Sequence, residues 1–102
     1  MIHVIATITV QPGRRAEFID AFHRLMPDVL AEDGCIAYGP AVDIESGLDA
    51  QPPVRPDVVT VVEQWESLPH LKAHLTAPHM NTWRSANGPL IRSIELAVLE
   101  PA

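Results

Sequence analysis

A chain of 102 residues with 47% hydrophobic and 20% charged side chains and a formal net charge of -6 has the composition of one globular domain spanning residues 1–102, with no room for a second. The composition excludes a disordered chain, the acidic balance without a basic stripe argues against a nucleic-acid partner, and no apolar run approaches the roughly 20 residues of a membrane-spanning helix. Cys35 is the only cysteine, so no intrachain disulfide is available and a reducing, cytoplasmic setting is expected.

The first segment, Ile2 to Val10, puts Ile2, Val4, Ala6, Ile8 and Val10 on one face and His3, Ile5, Thr7 and Thr9 on the other. That period of two predicts a strand, and the segment lacks the basic start and cleavage site of a signal peptide. Gln11-Pro12-Gly13 breaks it. Helical spacing follows, with Phe18, Phe22, Leu25 and Val29 on one stripe and Pro27 expected to kink or split the helix. Gly34 is the natural left-handed residue after it. The next strand places Ile36, Tyr38, Val42 and Ile44 at even positions, and Gly39-Pro40 in its middle predicts an edge strand or a bulge.

Residues 46–57 hold three prolines and a glycine and read as the one long loop, the best place for a mobile flap. Val58 to Glu66 follows as a central strand with valines on both faces. Ser67 is a good N-cap with Pro69 in the first turn, Leu68, Leu71 and Leu75 form an apolar stripe, and Pro78 restarts the helix at a new angle, carrying Met80 and Trp83. Asn87-Gly88-Pro89 stops it. Leu90 to Glu100 is the last strand, with Ile94, Leu96 and Val98 on one face.

The order β-α-β-β-α-β describes an α+β, ferredoxin-like sandwich: a four-stranded antiparallel sheet with helices on one face. The other face would carry Ile5, Thr7, Val58 or Val59, Val62 and Leu99. That is apolar enough to ask for cover in so small a domain, which points to a homodimer.

Five histidines are present. His70 and His74 share a helix face, and His74 borders the buried stripe, from which its ring can reach a cavity between helix and sheet. His79 sits in a first turn, where the helix dipole favours a neutral ring. Glu63 and Trp65 share a face of the third strand, and a carboxylate there needs a partner, Tyr38 or Arg92 being the first candidates. His70, His74 and His79 lack the further ligand at familiar spacing that a zinc site needs. Cys35 has no evident activating base and reads as an inert small hydrophobe. No phosphate loop, nucleophile elbow or dinucleotide fingerprint occurs.

Val10-x-Pro12-Gly13 leading to Phe18, then Glu32-x-Gly34-Cys35-x-x-Tyr38, Glu63-x-Trp65-x-Ser67 and His74-x3-Pro78-His79, resembles the antibiotic biosynthesis monooxygenase family, and within it the small quinol monooxygenase-like members. The match runs in order over nearly the whole chain. The resemblance implies a dimeric α/β barrel with a pocket in each subunit. It implies oxidation of a quinol or polyphenol-type aromatic by molecular oxygen, with no metal, flavin or other cofactor. Carried over by position, His74 is the base or anion-stabilising donor, Glu63 a polar anchor in the same catalytic pair, and Trp65, His79, Tyr38 and Trp83 line the substrate. Haem-degrading relatives carry an Asn on the first strand and a haem-ligating His late in the second helical segment; those places fall near Ala6 and Trp83-Arg84 here, so haem chemistry is not implied. The alternative is a non-catalytic dimeric protein, ligand-binding or stress-associated, on the same scaffold. An accessible cavity with His74 facing it favours the enzyme; a pocket filled by Trp65, Trp83 and Met80 favours the alternative.

Overall fold

The computed structural model describes residues 1–102. Its elements are β1 (Ile2–Val10), α1 (Arg15–Leu30), β2 (Cys35–Ala41), β3 (Val58–Trp65), α2 (Leu68–Leu75), α3 (Pro78–Asn87), a short 3-10 turn (Gly88–Leu90) and β4 (Ile91–Leu99). The strands form one antiparallel sheet in the order β2-β3-β1-β4. This is the expected ferredoxin-like architecture, with the second helical segment divided in two.

Register decides which side chains meet. On the inner face Val4 lies opposite Glu63, Ala6 opposite Val61 and Ile8 opposite Val59, while across the other edge of β1 the same residues face Val98, Leu96 and Ile94. Phe18, Phe22, Leu25 and Val29 of α1 close over this face and are all buried. Each such side chain is worth about 1.5–3 kcal/mol in apolar area removed from water.

The helix α1 runs unbroken through Pro27 to Leu30, so the expected split does not occur. Proline deprives the carbonyl of His23 of its donor, and His23 lies on the exposed side of the helix. Burial of Leu25 and Val29 on either side of the proline holds the last turn in place.

Gly34 then takes φ +79°, and a Cβ there would strike the ring of His70. Both the backbone and the close approach therefore require glycine.

Pro40 sits on the sheet edge, as its missing N–H demands. The register also shifts between Cys35 and Ala37. This bulge turns Ile36 out while Tyr38 points into the core, so the two do not share a face as simple alternation predicts. Val42 and Ile44 lie beyond the strand's end and are exposed.

Ser67 caps α2 by accepting from the backbone N–H of His70. The buried stripe of this eight-residue helix is Leu71 with His74; Leu68 and Leu75 face outward. The expected leucine stripe is thus rotated, and the histidine takes the inner position.

The helical layer stops short of β4. Ile94, Leu96 and Val98 are on the inner face by register, yet each remains about half exposed. The outer face is more mixed than expected, because Thr60, Gln64 and Glu95 register among Ile5, Val62 and Leu99. Of the β3 valines, Val58 is buried but Val62 is open to solvent, so the strand is central in the sheet without being covered on both faces.

The loop after β2 is tied at its base. Asp43 accepts from the Arg55 backbone N–H and from its guanidinium at 2.9–3.0 Å, and this pairing holds the Asp43 carboxyl down at about 2. Asp57 accepts from Gly13 N–H at 3.1 Å, and Arg15 donates to the Arg55 carbonyl at 3.0 Å.

Candidate active site

Where the helices run out toward β4, a cavity of about 210 Å³ opens between α3 and the inner sheet face. Its floor is Ala6 and Ile8 of β1 with Val61 and Glu63 of β3; Tyr38, Phe22, Met80 and Trp83 form walls; His74 and Arg84 supply the polar rim, and Leu75, Ile94 and Leu96 the half-exposed mouth. The lining is mostly apolar with a few convergent polar groups, as in small-molecule sites generally.

Glu63 reaches the cavity because period-two alternation puts it on the same face as Val61 and Trp65. Its partner is neither Tyr38 nor Arg92. The Trp65 indole N–H donates to Glu63 Oε1 at 3.0 Å, and Arg92 is exposed on β4. One donor is little for a carboxylate that is 6% exposed. Burial therefore pushes Glu63 up to about 7, against the smaller opposing pull of the Trp65 hydrogen bond, with the nearby Glu32 charge adding to the rise.

His74, 2% exposed, is held by three contacts. Its ring lies 4.7 Å from the Trp65 ring and 5.4 Å from that of Tyr38, centroid to centroid. Its Nδ1 meets Glu32 Oε2 at 2.8 Å. Because the carboxylate only accepts, Nδ1 carries the hydrogen and Nε2 is left as the bare ring nitrogen on the cavity side. Burial lowers the basicity of the ring, while the Glu32 carboxylate offsets part of that loss.

Tyr38 stacks on Phe22 at 5.1 Å and 16°. Burial, reinforced by Glu63, raises its hydroxyl well above the ordinary tyrosine range, so it keeps its proton. Trp83 is anchored by donating to the Ala21 carbonyl at 3.0 Å, with Phe18 and Phe22 edge-on to it.

The structure therefore brings His74, Glu63, Tyr38 and Trp83 to one cavity. Trp65 lies behind His74 and Glu63 and does not line the space. His79 is outside it, half-buried at a separate surface depression beside Arg24 and Asp28. His70 turns away from His74 to Ser67 Oγ at 2.6 Å and to Asp33, because a buried His74 at position i leaves position i−4 near the rim. No three His, Cys, Asp or Glu side chains are placed so as to hold a metal ion. Residues 46–57 contribute nothing to the cavity lining. The Cys35 thiol is pushed up by burial and by Glu32, in keeping with an unreactive side chain.

Glu32 is the residue that sequence reasoning passed over. It lies in the connection between α1 and β2, and in the sequence it figures only as the first position of the Glu32-x-Gly34-Cys35-x-x-Tyr38 run, with no role attached. Its contacts are with residues 42 and 47 positions away, so no local pattern announces them. Arg84 was likewise marked only as a place where another residue was missing; it lines the cavity and donates to the Leu75 carbonyl at 2.8 Å.

Glu63, whose proton is held more tightly than an ordinary carboxyl's, and His74, oriented by Glu32, line the same mostly apolar cavity, an arrangement able to move a proton to or from an apolar ligand. In line with that chemistry, residues 1–86 match the family model described as antibiotic biosynthesis monooxygenase, and the chain belongs to that family. It is 39% identical over 103 residues to the protein named probable quinol monooxygenase YgiN of Escherichia coli K12, covering 99% of this chain and 98% of that one. Among solved structures, a conserved protein from Methanosarcina mazei Go1 superposes with a TM-score of 0.82 at 24% identity, covering 99% of this chain and 92% of the other. Rv0793 from Mycobacterium tuberculosis does so with 0.78 at 24% identity, covering 99% and 94%. These two likenesses are of fold.

Proposed function

We propose that the protein oxidises a quinol-type aromatic with molecular oxygen, its own side chains supplying the proton chemistry. The observation that carries this is the pairing of Glu63 and His74 in one mostly apolar cavity. The name of the Escherichia coli relative supports the substrate class.

In this mechanism the ring of the substrate lies against Ala6, Ile8 and Val61 with Trp83 and Phe22 beside it. His74 Nε2 takes the first hydroxyl proton, and the apolar walls remove water from the resulting anion. Glu63, protonated below about 7, donates to the second substrate oxygen, with the Tyr38 hydroxyl as a further donor. The electron-rich anion then reduces oxygen. One oxygen atom enters the ring, the other leaves as water, and the quinol becomes a hydroxyquinone. Atoms and electrons balance as quinol plus oxygen giving hydroxyquinone plus water.

The same proposal has the chain acting as a homodimer. The exposed apolar side chains on the inner face of β4, Ile94, Leu96 and Val98, are the kind of surface that a second copy covers. Sedimentation at micromolar concentration tests that part, and a monomer would remove it.

The activity is tested by oxygen uptake with a panel of hydroquinones, in air and under argon, beside a His74→Ala variant. Uptake above autoxidation is expected, falling by about 10²–10⁴ in the variant. Equal background uptake by both proteins would leave the non-catalytic, ligand-binding alternative in its place.

A further inference from the structure

One carboxylate oxygen serves two imidazoles. Glu32 Oε2 lies 2.8 Å from His74 Nδ1 and 2.8 Å from His79 Nε2. The three side chains grade outward: His74 is 3% exposed, Glu32 12% and His79 28%. Glu32 has no lysine or arginine partner; its ion-pair contacts are these two rings. A carboxylate so placed needs donors, and both rings must point an N–H at the same atom.

For His74 this settles the tautomer. With Nδ1–H committed to Glu32, the lone pair is on Nε2, facing the cavity, and a proton gained there creates an imidazolium already paired with a carboxylate. For His79 the consequence differs. It cannot reach the cavity, yet it draws on the same oxygen. Its N–H takes a share of the oxygen that holds His74.

We propose, building on the function above, that Glu32 is the positioning residue of the cavity, acting through His74, and that His79 is a solvent-side competitor for the same carboxylate oxygen. The substrate proton rests on His74 Nε2, the Nδ1 proton stays on the ring, and the Nε2 proton returns to the oxygen atom that leaves as water. No proton has to pass through Glu32.

Other charged or titratable groups also face these residues. Around His74 they are Glu63 on β3, Tyr38 on β2 and Arg84 on α3; Cys35 at the start of β2 feels Glu32; Arg24 and Asp28 of α1 flank His79. Arg84 and His79 oppose a charge on His74, and Glu32 favours it. Replacing Glu32 and replacing His79 must therefore move His74 in opposite directions, which a purely structural role for either residue would not do.

The test is ring-nitrogen NMR of His74 in the full-length protein and in Glu32→Gln and His79→Gln, alongside the pH profile of kcat/KM for oxygen uptake. The wild type is expected to show His74 as the Nδ1–H tautomer. Glu32→Gln should mix the tautomers, shift the His74 titration and the acid limb to lower pH, and reduce kcat about 10–100-fold with little change in KM. His79→Gln should shift both to higher pH with KM unchanged. A wild-type Nε2–H tautomer, or titrations that move the same way or not at all, would overturn the proposal. So would an altered titration with unaltered turnover. If no hydroquinone is turned over by the wild type, the oxidation chemistry above fails, while the NMR arm still decides the coupling of the three residues.

Discussion

The inner face of the sheet is built in two ways. Near the end of β1, Val10, Val59 and Phe18 are wholly buried within the apolar core cluster. Toward the start of β1, burial is almost as complete, but Glu63 and His74 take places that a leucine or valine would fill. The first region is packed for stability. The second accepts the cost of taking a carboxylate and an imidazole out of water, and both of these side chains line the cavity. Buried polarity that helices and sheet fail to fill is the mark of the site.

The largest effect expected from breaking this contrast is in the packed region. Phe18→Ala should lower the unfolding free energy by about 3–5 kcal/mol, read from urea denaturation. A loss well under 1 kcal/mol would mean that this end is not the tightly packed one.

A smaller and pH-dependent effect is expected in the polar region. Glu63 has its folded-state value raised from 4.5 to about 7, so the folded protein holds this proton more tightly than the unfolded chain. The stability it contributes is full below about 4.5 and is lost as pH rises through about 7. Glu63→Gln keeps an acceptor for Trp65 and removes the charge. It should match the wild type near pH 4.5 and exceed it by about 2–3 kcal/mol at pH 8. His74 runs the other way: its ring is depressed by burial, so its contribution is present above 6.5 and lost below. That term is common to both proteins and cancels in the comparison. A difference that does not grow between pH 4.5 and pH 7 would remove the raised carboxyl. In the activity profile, the alkaline limb near 7 should vanish in the same variant, since Gln remains a donor at every pH.

The smallest effect sharpens the local support of His74. Ser67→Ala removes the cap of α2 and should cost about 1 kcal/mol without shifting the His74 tautomer. A tautomer change would show that α2, rather than Glu32, orients the ring.

Element types and order were legible in the residues themselves. Alternation in Ile2–Val10, the Phe18-Phe22-Leu25-Val29 stripe, the Ser67 cap and the Gly34 stop are local signals, because each depends on neighbours within a turn or a pleat. The presence of Glu63 on an apolar strand face, and of His74 beside the α2 stripe, was legible for the same reason. What failed were particular statements about how one element meets another. Pro27 does not split α1, because packing holds its last turn; Ile36 turns outward, because a bulge against β3 breaks the alternation; and Leu68 and Leu75 yield the inner position to His74, because the sheet meets α2 on another side.

Sequence alone thus determined the β-α-β-β-α-β order, an edge or a bulge at Pro40, and Glu63 and His74 as polar residues beside apolar stripes. Only the tertiary structure decided that Trp65 is the partner of Glu63, that His79 lies outside the cavity, and that Glu32 joins the two histidines. Periodicity reports which face a residue occupies within its own element. Which atoms meet across 42 and 47 residues of chain is set by how the elements dock, and no local spacing encodes that.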